Sequence, residues 1–507
     1  MGAPPMTDEG VPDLYAALGL VRGASDTDIR RAYRNLVSKI HPDKGGDADT
    51  FRAVQQAYEV LSDATKRHEY DTTGTVVRSV EDEFMDSFAG GSFRDRVRRG
   101  EMEKVNLSDQ ISVRQEKKAQ SHSSGFEAWM RSRGNAGVKV YTSEDVIDQF
   151  GVVKDSYDAV PLPKIRAHTV RCKRSGVPSE VLAVEAEALP QGLEWGEVLL
   201  SIRYAPVNPA DLYTVQTGGT YGESRLEPPF VAGHDGVAVV VKVGPGVKGL
   251  AENDWVVPLG PGLGTWRSLA VAKEKDLLKI PTDLMPPEQC AMLREMLAAY
   301  RLLEDHGNLK PGDAVILNAA NSTVGQLVLQ LCSLLRLRAI AVISGHKDFE
   351  RTSEWLKGLG AAEVLQDSGS LKFELESLKF FAKPKLALDA VGGASATRLA
   401  DALGEGGQLV VYGAMGGRAP HFTWQQWVFQ GVQVKGFNVR RWVRDNKKKL
   451  PALLESMAKL VNAGKLRAEF TEYELHSELG EALEHASDRG RNTKILLKVT
   501  DVGEQYE

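Results

Sequence analysis

The period of the hydrophobic pattern changes along the chain, and this change constrains the fold more than any other feature. Residues 13–71 carry apolar side chains at helical spacing, whereas residues after Pro311 alternate short apolar runs with helical stretches. One repeating architecture cannot produce both patterns. The length of 507 residues agrees, because a domain usually contains roughly 100–200 residues. The sequence therefore predicts a multidomain protein.

Composition excludes several classes of protein. Lys and Arg number 63 against 68 Asp and Glu, so the net charge of −5 argues against a uniformly basic nucleic-acid binder. With 42% hydrophobic residues, the chain can build cores. Its three cysteines, Cys172, Cys290 and Cys332, are too few for a disulfide framework or a four-cysteine zinc site, which favours a reduced intracellular compartment.

We expect no membrane span and no visible targeting peptide. The longest uncharged run, Ala314–Leu335, is interrupted by polar residues such as Asn318 and Gln326, so it predicts a buried strand and helix. The first twelve residues contain neither Lys nor Arg, which argues against secretory and transit peptides.

The first region predicts a helical hairpin. Ser25 or Asp26 can cap a helix that Pro42 ends, and Gly45-Gly46 lengthen the loop that follows. The apolar stripe of the first helix is Ile29, Tyr33, Leu36 and Ile40; that of the second is Phe51, Val54, Tyr58 and Leu61. The turn between them carries His41-Pro42-Asp43.

The motifs LYAALGL, RRAYRNLVSKIHPDK, QAYEVLSD and HEYD make residues 13–71 resemble the J-domain of DnaJ-type co-chaperones. The resemblance implies recruitment and stimulation of a DnaK-type heat-shock ATPase. The matching residues are Tyr33, Arg34, His41, Pro42 and Asp43. A cationic helix face would steer an acidic partner, although such charges also simply solvate many helices.

Residues 72–160 read as a largely flexible linker. The stretch from Arg94 to Gly125 alternates charges and contains few large apolar side chains, so it buries too little surface to offset its ordering entropy.

Residues 161–500 predict a large α/β unit. Glycine-rich, β-branched sequence between Gly218 and Gly264 indicates antiparallel strands, with runs at 237–243 and 255–257. After Pro311, strands at 314–317, 339–343, 386–389 and 408–412 alternate with helices near Ser322 and Ser353, which predicts a doubly wound parallel sheet.

The turn from Asn318 to Gly325 lies where a doubly wound fold binds a pyrophosphate. Thr323 occupies a place where many such turns have glycine. After the next strand, the chain has Ser344-Gly345-His346-Lys347 and no carboxylate for a ribose diol. Lys347 or His346 could instead meet a 2′-phosphate, which favours NADPH over NADH.

The motifs VNPADLYTVQTGGTYG, VAGHDGVAVVVKVGPGVKGL, GLGTWRSLAV, NAANSTVGQ, LALDAVGG and VVYGAMGG resemble the medium-chain dehydrogenase/reductase superfamily, and most closely its mitochondrial trans-2-enoyl-thioester reductase branch. The resemblance implies a GroES-like catalytic subdomain at 161–310, an inserted Rossmann domain at 311–436 and a return to the catalytic subdomain at 437–500. It also implies NADPH-dependent reduction of the 2,3 double bond of an enoyl-CoA or enoyl-ACP.

Family resemblance supplies the expected site residues. Tyr221 matches the tyrosine that stabilises the enolate. The expected cofactor contacts are Asn321, Ser322, Thr323 and Val324 in the phosphate turn, His346 and Lys347, the wall Tyr412, Gly413, Ala414 and Met415, the floor residues Phe437 and Val439, and Lys494.

Three positions depart from the pattern. Glu295 and Ala298 stand where such reductases have Asn and Thr near the nicotinamide, and Ser344 replaces an arginine. His234 occurs in a Gly-His-Asp sequence that holds a metal in zinc-dependent relatives, but Asn208 begins the stretch where the cysteine is expected, so we expect no metal.

The sequence thus favours an enoyl-thioester reductase of fatty-acid synthesis fused to a J-domain. Two alternatives stay open: a co-chaperone with a catalytically degenerate reductase-like module, and a quinone or alkenal reductase of the same superfamily. The resemblance suggests a mitochondrial location, with the cytoplasm as the alternative, and a homodimer formed through the nucleotide domain.

Overall fold

The architecture comes from a computed structural model. It describes residues 13–40, 54, 57–58, 60–73, 80–88 and 159–505, apart from short gaps at 219, 222–223, 282–283, 346–347, 379–381, 489 and 501–503. Residues 159–505 are called the large body below.

Helices build the first domain. They are α1 (Leu14–Ala17), α2 (Asp26–Ile40) and α3 (Ala64–Thr73), and residues 54, 57–58 and 60–61 are also helical. Ser25 caps α2 through a hydrogen bond from the Asp28 amide, as the sequence predicts. The predicted stripes meet: Ile29 and Leu61 are buried together, and the Tyr33 ring stacks on Tyr58 with centroids 3.9 Å apart.

One partly buried cation ties this domain together. The Arg67 guanidinium in α3 donates to the Tyr15 hydroxyl at 2.9 Å, to the Ala24 carbonyl at 2.6 Å and to Asp26 at 2.8 Å. Tyr15 in turn donates to Asp71. Sequence periodicity found the hairpin but not α3, because its apolar pattern is weak: Tyr70 is the buried residue of that helix with a large apolar surface.

A fourth helix, α4 (Val80–Ser87), lies inside the range predicted to be a flexible linker. Phe84, Met85 and the adjacent Phe88 are buried in the main core of the large body. The linker prediction is therefore wrong for this segment. Residues 89–158, which include the charged stretch on which that prediction depends, lie outside the described residues.

The β-rich subdomain of the large body contains a seven-stranded sheet and smaller ones. Its elements in chain order are β1 (Val160–Pro161), β2 (Ile165–Cys172), α5 (Pro178–Val181), β3 (Leu182–Ala188), β4 (Gly192–Leu193), β5 (Glu197–Pro206), α6 (Pro209–Gln216), β6 (Thr220–Tyr221), β7 (Ser224–Arg225), β8 (Phe230–Val231), β9 (Val237–Val243), β10 (Trp255–Pro258), β11 (Leu269–Lys273), a 3-10 turn (Glu274–Asp276) and β12 (Leu277–Ile280).

Two cross-over helices, α7 (Pro287–Ala291) and α8 (Leu293–Glu304), lead into a six-stranded parallel sheet. That part contains β13 (Ala314–Leu317), α9 (Thr323–Leu334), β14 (Arg338–Ile343), α10 (Phe349–Gly358), β15 (Ala361–Gln366), α11 (Leu371–Ser377), β16 (Leu386–Asp389), α12 (Gly393–Ala402), β17 (Gln408–Val411), α13 (Trp424–Val428) and β18 (Gln433–Gly436). Its strand order is β15-β14-β13-β16-β17-β18, with all neighbouring strands parallel. The chain builds outward in one direction from β13 and then in the other from β16, so the topological switch point lies between these two strands. The predicted doubly wound sheet is confirmed.

The chain then returns to the first sheet. It passes through α14 (Val439–Asp445), a 3-10 turn (Lys447–Lys449), α15 (Leu450–Asn462), β19 (Phe470–Glu474), α16 (Leu479–Ser487), β20 (Lys494–Lys498) and β21 (Glu504–Gln505). β20 pairs with β5, which completes the seven-stranded order β12-β10-β9-β5-β20-β19, with β11 also on β5.

One core spans the two subdomains. Helices α7, α8, α14 and α15 bury apolar side chains in it together with α9 and the parallel sheet, and it also includes Val237, Val257 and Ile280 of the β-rich subdomain. The expected subdomain boundaries at 310/311 and 436/437 therefore stay predictions. Among the described residues, no helix has the length and apolarity needed to cross a membrane.

Candidate functional site

A buried amide joins the two central strands at the point where the sheet reverses. The Asn318 side chain, which follows β13, donates to Asp389 at 2.6 Å and accepts from the Ala390 amide at 2.8 Å. Asp389 also accepts from the Gly392 amide at 2.9 Å. Because both residues are fully buried, these bonds lock the carboxyl ends of β13 and β16 beside each other.

The turn after Asn318 delivers a helix N-terminus to this edge. Ser322 is the N-cap of α9, and its hydroxyl accepts from the Gly325 amide at 3.3 Å. Gly325 lies so close to the turn that a Cβ there would stand 2.6 Å from the Ala320 carbonyl oxygen. The N–H groups of the first helical turn lack intrahelical acceptors, so those of Thr323 and Val324 are oriented for an anion.

Asn321 holds the phosphate turn in place from the side. The side-chain amide of Asn321 donates to the Arg491 backbone carbonyl at 3.2 Å. The backbone carbonyl of Asn321 accepts from the Gln326 side-chain amide, which also donates to the Asn492 backbone carbonyl at 2.8 Å. The Asn321 side chain is therefore occupied by the loop before β20, and its predicted contact with the cofactor stays a prediction.

The expected nicotinamide wall follows β17. The Tyr412 amide donates to the Asp389 carbonyl at 2.9 Å, and the Met415 amide to the Ala390 carbonyl at 2.9 Å. A Cβ on Gly413 would stand 2.9 Å from the Ala390 carbonyl oxygen, so this backbone passes close to the neighbouring strand end. Burial, with the Asp389 carboxylate, raises the pKa of the Tyr412 phenol. The wall therefore presents neutral groups beside the phosphate turn.

Beyond β14 an open cleft of about 840 Å³ lies at the same edge of the sheet. Its lining includes Gly345, Asp348, Phe349, Arg351 and Glu354. His346 and Lys347, the predicted 2′-phosphate contacts, lie outside the described residues. Arg351 is a cation at this cleft that the sequence reasoning did not name.

Glu295 does not stand as an isolated carboxylate. Lys494, at the start of β20, donates to Glu295 Oε1 at 2.8 Å and also to the side-chain oxygen of Asn208. The side chains of Lys494 and Glu295 are only 7% and 8% exposed. Lys494 is thus an internal partner of Glu295 that neutralises the charge of the unusual carboxylate, and its predicted contact with the cofactor stays a prediction.

A second ionic group lies next to the first. The Asp235 carboxylate pairs with Arg294 from α8 and with Arg440 of α14 at 3.5 Å, and it accepts from the Asn208 amide at 3.0 Å. Burial, together with Arg440, lowers the pKa of Arg294 to about 9. Sequence reasoning missed both arginines, because they become neighbours only when α8 and α14 pack against the β-rich subdomain.

The histidine beside Asp235 has a structural environment. His234 Nε2 lies 3.0 Å from the Thr214 hydroxyl, and its amide donates to Asp211 at 2.9 Å. Burial lowers the pKa of this imidazole, which favours its neutral form. Within the described part of the chain, no three His, Cys, Asp or Glu side chains converge as metal ligands.

Tyr221 lies in the β6–β7 ribbon, where it is paired with Ser224, directly after α6. Its side chain lies outside the described residues. Phe437 and Val439 flank the start of α14, both partly buried against the main core. The predicted role of Tyr221 at the site therefore stays a prediction.

In the helical domain, Tyr33 stacks on Tyr58, whereas Arg34 is exposed and donates back to the Arg30 carbonyl at 3.2 Å. His41, Pro42 and Asp43 lie outside the described residues. Arg34 is thus accessible to a partner, and Tyr33 serves the packing of the hairpin.

Comparison with known families assigns each part of the chain. Residues 13–71 match the DnaJ domain, residues 194–282 the alcohol dehydrogenase GroES-like domain, and residues 323–459 the zinc-binding dehydrogenase family. Together with the switch point and its helix N-terminus, these matches define a reductase of the medium-chain dehydrogenase type that carries a J-domain.

Curated relatives narrow the family. The human mitochondrial enoyl-[acyl-carrier-protein] reductase is 35% identical over 63% of this chain and 84% of its own length; the Dictyostelium discoideum enzyme is 35% identical over 65% and 94%. The solved Etr1p complex with NADP and crotonyl-CoA shares 27% identity, covers 66% of this chain and all of its own, and has a TM-score of 0.57. The chain belongs to the enoyl-[acyl-carrier-protein] reductase family.

The buried pair yields a stability prediction. Replacing Lys494→Met leaves Glu295 buried without its cation, and we expect a loss of roughly 3–5 kcal/mol in the free energy of unfolding, measured in urea. Lys498→Met is the matched control, because Lys498 lies on the same strand in a more exposed pair with Glu472. It should cost less than about 1 kcal/mol. The double variant Glu295→Leu with Lys494→Met should recover most of the loss; no recovery would contradict the pairing.

Proposed function

We propose that the large body reduces the 2,3 double bond of enoyl thioesters with NADPH. The observation that carries this proposal is the phosphate turn. The capped N-terminus of α9 lies at the topological switch point of the parallel sheet, next to the backbone wall at 412–415. The relatives that this chain matches over most of their length are named enoyl-[acyl-carrier-protein] reductases. A structural neighbour binds NADP and crotonyl-CoA.

Residues present here fit the cofactor. The N–H groups of Thr323 and Val324 suit a pyrophosphate, and Gly413 lets the wall approach closely. When bound, NADPH supplies the hydride that adds to the β-carbon of the thioester. Charge would then develop on the thioester oxygen, and the Tyr221 hydroxyl would donate a hydrogen bond to that oxygen while solvent supplies the proton that adds to the α-carbon. The carboxylate of Glu295 and the ammonium of Lys494 cancel each other's charge.

For Tyr221→Phe we expect NADPH-dependent turnover of crotonyl-CoA to fall by roughly 10²–10³-fold, because the variant lacks the donor to the developing oxyanion. The NADPH dissociation constant, measured by fluorescence titration, should change little. Tyr213→Phe is the matched control, since Tyr213 is a half-exposed tyrosine of the neighbouring helix α6. Unchanged turnover in Tyr221→Phe would remove this residue from the mechanism.

Substrate class separates the remaining candidates. The Escherichia coli quinone oxidoreductase shares the fold at 21% identity and a TM-score of 0.58, which supports the fold alone. NADPH oxidation is therefore measured with crotonyl-CoA and with a quinone. Turnover of the quinone alone would favour a quinone reductase, and no turnover together with no NADPH binding would favour a degenerate module.

We infer that the helical domain recruits a DnaK-type ATPase through the basic face of α2 and the turn His41-Pro42-Asp43. The match over residues 13–71 supports this inference, as does the exposure of Arg34. We also propose that the protein acts in mitochondria, because its relatives carry that location in their names.

For His41→Gln we expect loss of stimulation of a DnaK-type ATPase, because the variant alters the turn that contacts the partner. The measurement is single-turnover ATP hydrolysis by the chaperone with and without the full chain. Crotonyl-CoA reduction by the same preparation should be unchanged and serves as the folding control. Stimulation equal to that of the original chain would defeat the assignment.

We propose further that two copies pair along the outer edge of β18. This strand ends the parallel sheet, and beside it α13 exposes Trp424, Trp427, Val428 and the following Phe429, each between 48% and 69% exposed. An unpaired edge next to an apolar patch is a surface that native proteins cover. A relative from Candida tropicalis forms a heterodimer.

Light scattering on the purified full chain should therefore give twice the mass of 55.4 kDa. Val428→Glu with Phe429→Glu should shift the mass to that of a monomer, because it places charge in the apolar patch. Val21→Glu, at another exposed valine, is the control. A monomeric parent chain would contradict the proposal.

A further inference from the structure

Helix α4 (Val80–Ser87) joins the core of the large body although it follows the J-domain in sequence. Phe84 and Phe88 meet the Tyr300 ring of α8 edge-on, with centroids 5.8 Å and 5.3 Å apart. Both phenyl rings and Met85 are buried. Val80 also packs against this core. This helix therefore buries its apolar side chains in the core of the large body.

An ion pair also links α4 to the region just after α15. Glu81 lies 2.6 Å from the Lys465 ammonium, just after α15. The helix therefore contacts two elements, α8 and α15, that are far apart in sequence. A segment that only connected two domains would not bury three large apolar side chains against one of them.

Chain length turns this contact into a constraint on the J-domain. Residues 74–79 alone separate the end of α3 at Thr73 from the start of α4 at Val80, and a segment of that length reaches about 25 Å at full extension. A flexible coil spanning 72–160 would instead have a root-mean-square length of about 50 Å. The short tether also fixes a high effective concentration of the J-domain at this face.

We propose that α4 is a built-in anchor that holds the J-domain at the α8/α15 face of the large body, so that a chaperone recruited by the J-domain meets this body as its nearest client. This inference extends the proposed function, because delivery requires the J-domain to recruit a chaperone. The anchoring itself requires no chaperone and is tested separately.

The anchor is tested first, on the full chain. Val21 is 80% exposed on the J-domain, so Val21→Cys gives a site for a fluorescent maleimide. Native thiols compete little: Cys172, Cys290 and Cys332 are buried, and burial raises the pKa of Cys290 to about 12. Time-resolved anisotropy of the label should report the slow rotation of the whole chain. Fast rotation typical of a small free domain would overturn the anchor.

Variants then assign the effect to α4. Phe84→Ser with Phe88→Ser should release the label to fast rotation. Lys465→Glu should shift it partly, and adding Glu81→Lys should restore the slow rotation, because the pair is re-formed with reversed charges. This exchange leaves the apolar core intact, so it tests the contact of α4 with α15 independently of the phenylalanine variant. Slow rotation in every variant would contradict the proposal.

Delivery is tested by chaperone-assisted recovery of crotonyl-CoA reduction after mild heating, with a DnaK-type chaperone and ATP. Recovery should be highest for the original chain and several-fold lower for Phe84→Ser with Phe88→Ser, in which the buried anchor is released. This variant should still stimulate the ATPase and reduce crotonyl-CoA before heating, which separates lost delivery from a failed J-domain or a misfolded body. Equal recovery in the released and anchored chains would overturn delivery while leaving the proposed reductase and J-domain activities standing.

Discussion

The bond between Asn318 and Asp389 is the interaction on which the site depends. It joins the carboxyl ends of two parallel strands at the topological switch point of the sheet. Both polar groups are fully buried and have no access to water. The phosphate turn after β13, the stretch after β14 and the wall after β17 each start from one of these two strands or from its neighbour. A buried amide of this kind is costly to leave unpaired, so it fixes one geometry of the crevice.

The buried charges between the two subdomains are balanced within the protein. Glu295, the residue that departs most from the family pattern, is matched by Lys494, and Asp235 is matched by two arginines. These groups come from both subdomains, so the buried charges are paired only where the two subdomains pack together. The unusual carboxylate is in this way compatible with a reductase, since its cation belongs to the same fold.

Local sequence signals predicted the fold well and the site in part. The central strands at 314–317 and 386–389, the capped α2 and the phosphate turn were readable because periodicity and capping act over a few residues. Edge strands such as β15 and β18 carry mixed polar patterns and gave no clear signal. The pairing of Lys494 with Glu295, 199 positions apart in sequence, and the burial of α4 depend on tertiary packing, which no short window of sequence contains.

The burial of α4 changes the nature of the segment that follows it. Phe88 is buried in the core of the large body and Ala159 begins that body, so residues 89–158 connect two points of the same body along the chain. The entropy of closing such a connection grows only with the logarithm of its length. This segment can therefore gain or lose many residues in evolution without moving the J-domain, whose position is set by the short stretch before α4.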